Sequence, residues 1–427
     1  MSFNTISVIG LGYIGLPTAA MFASRKKKVI GVDVNQHAVD TINRGEIHIV
    51  EPDLDMIVHA AVTEGYLKAV LKPEPADAFL IAVPTPFKKS LNQDDIPEPD
   101  LTYIQKAAEA IAPVLKKGDL VILESTSPVG ATEQMAEWLA AARSDLSFPS
   151  ANSEAMDETV DVNVAHCPER VLPGHVVREL VENDRVIGGM TAKCSARAVE
   201  LYKTFVQGEC VITNARTAEM AKLTENSCRD VQIAFANELS IICDKLDIDV
   251  WELISLANRH PRINILQPGP GVGGHCIAVD PWFIVSKTPE EAKLIHTARK
   301  VNDAKPEWVI NKVKIAIADF LQANPDKTAK DVTIACYGLA FKPDIDDLRE
   351  SPALNITKKI TEIHSGKVLA VEPNIKALPA MNTTLELVSF EEAKEMADVH
   401  LLLVDHKVFK TAKISSCYLI DTKGVWL

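Results

Sequence analysis

The N-terminal residues contain a glycine pattern that leaves this chain few choices of fold. Residues 6–9 are apolar and typical of a short buried strand, and residues 16–23 are typical of a helix. Gly10, Gly12 and Gly15 stand between them in the spacing G-x-G-x-x-G. In a strand–turn–helix unit, the first glycine permits the tight turn, the second lets a pyrophosphate approach, and the third allows close packing of the helix on the strand. The pattern predicts a dinucleotide-binding domain, with the pyrophosphate at the helix N-terminus.

An acidic residue in the right place refines this prediction. A second apolar strand, predicted at residues 29–32, ends at Asp33. A carboxylate at this position accepts hydrogen bonds from both hydroxyls of a ribose, and it repels a 2′-phosphate. The sequence therefore predicts NAD rather than NADP as the cofactor.

Two further strands end in threonine and proline. Residues 78–83 and 120–123 are apolar, and Thr85 and Thr126 follow them closely. Ligands of open α/β sheets bind at the carboxyl ends of the strands, so both threonines are predicted to contact the cofactor. The alternative is that they are ordinary turn residues. The polar stretches 88–100 and 150–161 are predicted to be loops.

A second candidate reactive region lies at residues 268–276, where four glycines and two prolines precede Cys276. Such a segment forms neither a helix nor a central strand, so a shaped loop is expected, with backbone N–H groups able to approach a ligand. The loop presents Cys276 beside His275, with the access that a nucleophile needs. Taken alone, the stretch is equally compatible with a glycine-rich surface loop followed by a structural cysteine.

The length and charge of the chain limit its class. A chain of 427 residues exceeds one typical hydrophobic core, so two or three domains are expected. The net charge of −13 argues against a nucleic-acid partner and requires a local cationic pocket for any anionic substrate. The first residues have neither a basic nor a long apolar segment, which predicts no signal peptide, and the absence of an apolar run of about 18 residues predicts no membrane span. The eight cysteines have no metal-ligand spacing, which predicts no metal site and a reducing cytoplasm.

One long helix is predicted at residues 216–244, because this stretch is rich in alanine and free of glycine and proline. Asn214 is its expected N-cap. Lys222, Asn226 and Arg229 have the spacing i, i+4, i+7 and so share one face. This face is predicted to be functional; the alternative is a solvated face with salt bridges to acids such as Glu225.

A second α/β block opens near Val332. Its predicted strands are residues 333–338, 368–371, 400–404 and 417–420. The block is predicted to be a shorter Rossmann-like domain without the full glycine pattern.

Four motifs in order now identify a family. The N-terminal glycine turn, the Lys222/Asn226 helix, the Gly-Gly-His-Cys loop and the element from Phe341-Lys342-Pro343 through Asp346-Asp347-Leu348-Arg349-Glu350-Ser351-Pro352 together resemble the UDP-glucose/GDP-mannose dehydrogenase family. The resemblance covers essentially all 427 residues. It implies an α/β fold of two Rossmann-like doubly wound domains joined by a central helical domain with one long helix. The expected domains are residues 1–212 for NAD, residues 213–320 for connection, dimerisation, the catalytic lysine and the cysteine loop, and residues 321–427 for the UDP-sugar.

The resemblance also implies roles for individual residues. The family oxidises a sugar C6 alcohol twice, to the acid, with two NAD. Cys276 is implied as the nucleophile, Lys222 as the general acid/base, Asn226 as an oxyanion donor, Glu169 as the group that activates water and Asp280 as a supporting carboxylate. The implied NAD contacts are Gly10, Gly12, Tyr13, Ile14, Gly15, Asp33, Thr85, Thr126 and Arg349. The implied substrate contacts are Arg170, Val171, Lys222, Asn226, Arg229, His260, Arg262, Gly273, Phe341 and Lys342.

The expected substrate is a UDP-amino sugar. UDP-glucose members of the family usually have an acid where this chain has Pro173, so a 2-acetamido sugar fits better than glucose. Residues 258–267 and 278–282 most resemble members that act on UDP-N-acetyl-D-mannosamine for enterobacterial common antigen, in the cytoplasm and as homodimers. UDP-N-acetylglucosamine is the alternative, since one stereocentre separates the two sugars. A single-step β-hydroxyacid dehydrogenase and a catalytically silent nucleotide-sugar sensor are two further hypotheses for the function.

Overall fold

The computed structural model describes residues 3–49, 51–89, 95–150, 160–171, 174–274, 276–378, 385–414 and 416–426. Most of the expected loop at 150–161, part of that at 88–100, and both Pro173 and His275 lie outside these residues. The chain forms two units, Met1–Glu225 and Asn226–Leu427.

The first unit alternates strands and helices. Its elements in chain order are β1 (Thr5–Ile9), α1 (Gly15–Ser24), β2 (Lys28–Val32), α2 (Gln36–Asn43), α3 (Leu54–Thr63), β3 (Leu67–Val70), β4 (Ala78–Ile81), α4 (Thr102–Ile111), β5 (Leu120–Leu123), α5 (Ala131–Ala142), β6 (Asn163–His166), α6 (Val176–Glu182), β7 (Arg185–Gly189), α7 (Ala192–Tyr202), β8 (Cys210–Asn214) and the beginning of α8 (Ala215–Lys245).

Eight strands among the described residues form one sheet, in the order β3-β2-β1-β4-β5-β6-β7-β8. The neighbours pair in parallel except β6 and β7, which are antiparallel. The first six strands have the order of a dinucleotide-binding Rossmann fold. Apolar residues are buried on both faces of this sheet, as expected for parallel strands covered by helices. The α/β fold predicted for this region is confirmed.

Helix α8 begins as the sequence indicates. The backbone N–H of Thr217 donates to Oδ1 of Asn214 at 2.8 Å, so Asn214 caps the helix. Glu219 on α8 is buried and accepts hydrogen bonds from the backbone N–H groups of Gly130 and Thr132, both at 2.7 Å. A carboxylate placed at the start of α5 is favoured by the helix dipole, and it attaches α8 to α5.

The second unit begins within α8 and contains a smaller sheet. Its further elements are α9 (Val250–Ala257), α10 (Asp280–Lys287), α11 (Lys293–Ala323), β9 (Ile334–Tyr337), α12 (Pro352–Ile363), β10 (Val368–Val371), β11 (Glu386–Leu387), α13 (Phe390–Met396), β12 (Val399–Leu402), α14 (Lys407–Lys410) and β13 (Leu419–Asp421). The described strands are all parallel, in the order β11-β10-β9-β12-β13. The predicted second Rossmann-like domain is present.

One long helix is predicted from the sequence, whereas α8 and α11 both have 31 residues. Pro306 inside α11 explains the difference, because proline lacks a backbone N–H and normally ends a helical pattern. Helix α11 continues through Pro306, and its side chains contact α8. Arg299 Nη1 lies 2.6 Å from Asp230 Oδ1, and Asn237 donates to Asn302 at 2.9 Å. All four of these side chains are buried.

The described helices include none with the length and apolar character required to cross a membrane. The described residues also contain no cluster of three His, Cys, Asp or Glu side chains suited to a metal ion.

Candidate active site

The glycine turn after β1 has little room for side chains at two positions and open space at the third. Gly10 has φ +91°, and a Cβ there would lie 2.6 Å from the carbonyl oxygen of Ala82. A Cβ on Gly15 would lie only 1.8 Å from the carbonyl oxygen of Gly10. A Cβ on Gly12 would meet no atom of the described residues within 4 Å. The first and third glycines are therefore required for packing, and the space over Gly12 fits the approach of a pyrophosphate.

Asp33 is held in place by the turn that it follows. Its Oδ2 accepts the backbone N–H of Leu11 at 2.8 Å, and its Oδ1 accepts that of Asn35 at 2.9 Å. The carboxylate thus links the glycine turn to the end of β2. Tyr13 is exposed and Ile14, half-buried, is the residue immediately before α1.

We expect Asp33→Ala to weaken NAD binding about tenfold or more and to reduce discrimination against NADP. The substitution removes a charged acceptor for the ribose hydroxyls, and a hydrogen bond to a charged group contributes about 1.5–3 kcal/mol. Steady-state kinetics with NAD and NADP measure both effects. Asp40→Ala is the control, because Asp40 is an exposed acid on α2. An unchanged NAD/NADP ratio in Asp33→Ala would contradict the assignment.

The structure brings the two predicted threonines together. Thr85 Oγ donates to the carbonyl oxygen of Thr126 at 2.8 Å, and both residues are half-buried. They follow β4 and β5, which are parallel neighbours, and β1 precedes the glycine turn on the other side of β4. Thr85, Thr126 and the glycine turn therefore follow the carboxyl ends of three adjacent strands, where ligands of this fold class bind.

A buried polar cluster joins Glu169, which was predicted from the sequence, to Arg185, Tyr202 and Glu124, which were not. Glu169 Oε2 lies 2.7 Å from Arg185 Nη1, and Glu169 Oε1 accepts the backbone N–H of Arg170 at 2.7 Å. Tyr202 donates its hydroxyl to Glu124 Oε1 at 2.5 Å, and the Arg185 guanidinium lies 5.1 Å from the centre of the Tyr202 ring. The available signal was Glu124, an acid directly after the apolar run of β5.

The two acids of this cluster differ in their surroundings. Burial raises the pKa of Glu124 to about 7; the charge of Glu169 acts in the same direction, while Arg185 and the Tyr202 hydroxyl oppose it. Glu124 Oε2 and Arg185 Nη2 have no hydrogen-bond partner among the described residues. Burial therefore favours the protonated form of Glu124, whereas Glu169 has two strong donors.

We expect Glu124→Gln to raise the free energy of unfolding relative to wild type at pH 8 more than at pH 5. The pKa of Glu124 rises on folding from 4.5 to about 7, so the folded state binds more protons within this window and stability falls as pH rises through it. The loss approaches about 3 kcal/mol at pH 8, and glutamine, which cannot ionise, avoids it. Melting temperatures at the two pH values measure the effect, with the exposed Glu137→Gln as control. A difference in melting temperature between Glu124→Gln and wild type that is the same at both pH values would refute the prediction.

Arg170 and Val171 are engaged with the protein itself. Arg170 Nη2 lies 2.6 Å from Glu225 Oε1, and Val171 is half-buried against the first hydrophobic core. Glu225 is thus paired with Arg170, rather than with Lys222 or Arg229 as the solvated-face alternative supposed. Lys222 is half-buried on α8, four residues before Asn226.

In the second unit, the predicted nucleophile is connected to two predicted partners. Cys276 is exposed, and its carbonyl oxygen accepts the backbone N–H groups of Val279 at 3.0 Å and Asp280 at 2.9 Å. Asp280 begins α10 and is 2% exposed. Asn226 Nδ2 donates to Asp280 Oδ2 at 2.6 Å. The second N–H of this amide is geometrically separate from the first, so Asn226 can donate it to another oxygen.

The glycines before Cys276 are required because a side chain there would collide with other residues of the protein, and not only because a ligand must approach the loop. Gly274 has φ +83°, and a Cβ on Gly273 would lie 2.6 Å from the carbonyl oxygen of Glu350 and 2.7 Å from Pro352. A Cβ on Gly274 would lie 3.2 Å from the ring of Phe341. The sequence analysis attributed this glycine content to ligand approach alone. The structure adds a second cause, the packing of the loop against residues 341–352.

Cations are present near Cys276. Desolvation lowers the pKa of Lys342, repulsion from Arg229 lowers it further, and Cys276 acts in the opposite direction. Lys342, which sequence reasoning assigned to substrate only, thus interacts electrostatically with the thiol.

His260 and Arg262 are exposed in the turn after α9. Arg349 forms a salt bridge with Asp347 at 2.6 Å.

Comparison with protein families gives three matches along the chain. The family models are the NAD-binding domain of the UDP-glucose/GDP-mannose dehydrogenase family over residues 4–206, its central domain over residues 216–304 and its UDP-binding domain over residues 335–426. The first match confirms the prediction of NAD as the cofactor, and the three together confirm the predicted architecture.

Individual relatives match over the full length. A UDP-N-acetyl-D-mannosamine dehydrogenase of Yersinia pestis is 68% identical, with 100% of both chains covered. An NDP-N-acetyl-D-galactosaminuronic acid dehydrogenase of Ralstonia nicotianae is 63% identical over 100% of this chain and 97% of the relative. The solved structure of a UDP-D-ManNAc dehydrogenase from Pyrococcus horikoshii is 37% identical, with a TM-score of 0.84 and 99% and 96% of the two chains covered.

Proposed function

Because the chain belongs to the UDP-glucose/GDP-mannose dehydrogenase family, we propose that it oxidises the C6 alcohol of UDP-N-acetyl-D-mannosamine to the carboxylate. The observation that carries the proposal is the exposed Cys276, joined through the start of α10 to the Asp280–Asn226 pair. A single oxidation to an aldehyde needs no such nucleophile.

The residues of the first unit fit NAD. We assign its pyrophosphate to the turn of Gly10, Gly12 and Gly15, and its ribose to Asp33. The further proposed contacts are Tyr13, Ile14, Thr85, Thr126 and Arg349. When bound, NAD accepts a hydride from C6 in each of the two oxidations.

Lys222 and Asn226 act on the oxygen of C6. Lys222 removes the hydroxyl proton during the first oxidation and, as a cation, stabilises the developing negative charge. The Asn226 amide donates a hydrogen bond to the same oxygen. The Asp280 carboxylate accepts the other amide N–H, which supports the orientation that this role requires.

Cys276 retains the intermediate. Its thiolate adds to the aldehyde carbon and the oxygen takes up a proton, giving a thiohemiacetal whose remaining hydrogen on C6 can leave as the second hydride. After the second oxidation the sugar is held as a thioester. Lys342 interacts electrostatically with this thiol, and a cation beside a cysteine favours its thiolate form. Covalent attachment explains how an aldehyde is kept from escaping between the two oxidations.

Hydrolysis completes the reaction. Glu169 accepts a proton from the attacking water, the carbon–sulfur bond breaks, and the proton returns to the sulfur of Cys276.

The residues that we assign to substrate binding besides Lys222 and Asn226 are Arg170, Val171, Arg229, His260, Arg262, Gly273, Phe341 and Lys342. Arg229 and Arg262 supply the local positive charge that a diphosphate requires in a protein of net charge −13.

A different 2-acetamido sugar is the second candidate. Relatives named for N-acetyl-D-galactosaminuronic acid are 63% identical, close to the 68% of a mannosamine enzyme. UDP-N-acetylglucosamine belongs to the same group, since all these sugars differ only in stereocentres. Pro173, on which the argument against glucose depends, lies outside the described residues.

The cellular setting completes the proposal. We place the enzyme in the cytoplasm, as a homodimer through the central domain, supplying an aminouronic acid for enterobacterial common antigen. The domain boundaries 212/213 and 320/321 belong to the same proposal. Static light scattering of the purified chain measures the oligomeric state.

Stoichiometry and substrate preference test the function together. The purified chain is incubated with NAD and, separately, with UDP-N-acetylmannosamine, UDP-N-acetylglucosamine, UDP-N-acetylgalactosamine and UDP-glucose. We expect two NADH per mole of UDP-N-acetylmannosamine and the uronic acid as product. One NADH would indicate a single-step dehydrogenase, none with any sugar would indicate a sensor, and preference for another sugar would replace the substrate.

A further inference from the structure

The carboxylate of Glu169 is fixed at both oxygen atoms. Arg185 Nη1 holds Oε2 at 2.7 Å, and the backbone N–H of Arg170 holds Oε1 at 2.7 Å. Glu169 is 6% exposed and Arg185 is 2% exposed. A carboxylate bound in this way cannot rotate freely, and its remaining lone pairs point in defined directions.

The charge balance of the cluster depends on Arg185. The titratable or charged groups around it are Glu169 and Cys167 after β6, Glu124 after β5, Tyr202 on α7 and Cys210 on β8. Glu124, which does not hydrogen-bond to Arg185, has its pKa raised to about 7 mainly by burial. Glu169 is also buried but is paired with Arg185, so one cation compensates one carboxylate. Loss of Arg185 would leave the buried Glu169 carboxylate without its compensating cation and without the hydrogen bond to Oε2.

We propose that Arg185 is a positioning residue for hydrolysis of the covalent sugar thioester, because it holds the Glu169 carboxylate in a fixed orientation toward the attacking water. The inference rests on the proposed function. In this step the water oxygen forms a bond to the thioester carbon, and Glu169 takes one water proton. The carbon–sulfur bond breaks with its electron pair on sulfur, the proton passes to that sulfur, and the product acid releases its own proton to solvent.

The test separates hydrolysis from the two oxidations. Arg185→Lys and Arg185→Met are mixed rapidly with substrate and NAD, and NADH formation is followed from the first turnover. Since the oxidations do not require Glu169, a burst of two NADH per active site should be retained at close to the wild-type rate. The following steady-state rate should fall by about tenfold or more, because a general base contributes roughly 100-fold or more to such a step. The thioester should accumulate and be detectable by intact mass.

The lysine variant provides a readout that loss of structure does not give. Lysine retains the charge but replaces the guanidinium fork by a single ammonium group, so Glu169 is held less firmly. The steady-state rate should therefore fall less in Arg185→Lys than in Arg185→Met, with the burst retained in both. If Arg185→Met does not fold, Arg185→Lys alone decides the question. Arg178→Met is the control, because Arg178 is an exposed arginine that forms a salt bridge with Glu182.

Two results would overturn the inference. One is normal hydrolysis in Arg185→Lys, without accumulated thioester. The other is a parallel loss of the burst and of the steady-state rate, which indicates a structural role only. A wild-type protein that yields fewer than two NADH per sugar would instead refute the proposed function. The two failures are therefore distinguishable.

Discussion

Cys276→Ser is expected to stop formation of the acid while the first oxidation still occurs. A serine hydroxyl is a much weaker nucleophile than a thiolate at neutral pH, and the sugar ester that it forms hydrolyses more slowly than a thioester. Turnover to the acid should fall on the order of 1000-fold or more, the scale typical for loss of a nucleophile. Intact mass spectrometry should detect a covalent sugar ester.

Two further variants complete this experiment. Cys276→Ala should lose the covalent species altogether, whereas Cys417→Ser, which changes another exposed cysteine, should behave as wild type. Acid formation with two NADH at near wild-type rate in either Cys276 variant would show that the covalent mechanism is wrong. The loop of residues 268–276 would then be a binding element only.

Lys222→Ala is expected to lower kcat about 100-fold or more with little change in KM. The ammonium group is proposed to interact with an oxygen whose negative charge develops in the transition state, and loss of such a donor affects kcat rather than ground-state binding. Steady-state kinetics with the sugar nucleotide at saturating NAD measure both constants.

A second lysine on the same helix serves as the control. Lys245 is exposed in the last turn of α8, and Lys245→Ala should leave both constants unchanged. A rise in KM at unchanged kcat in Lys222→Ala would assign Lys222 to substrate binding instead of catalysis.

Features encoded within short segments were predictable. The turn containing Gly10 and Gly15 follows from local backbone sterics, and the Asn214 cap of α8 follows from a hydrogen bond over three residues. Alternating apolar strands and helices were enough to predict both Rossmann-like sheets. Helix α11 was missed because Pro306 contradicts the local pattern, and contacts with α8 accompany the helix despite it.

By itself, the sequence determined the fold class, the cofactor, the family and the identity of the candidate nucleophile, because each depends on residue type and short spacing. Only the tertiary structure decided which charged and polar groups meet. Tyr202 reaches Glu124 across 78 residues of sequence, and Asn226 reaches Asp280 across 54. Such pairs form when strands and helices bring distant side chains into one buried volume, where an unpaired charge is costly. The spacing of residues along the chain does not show which side chains share such a volume, so the partner of Glu169 could be identified only in the folded protein.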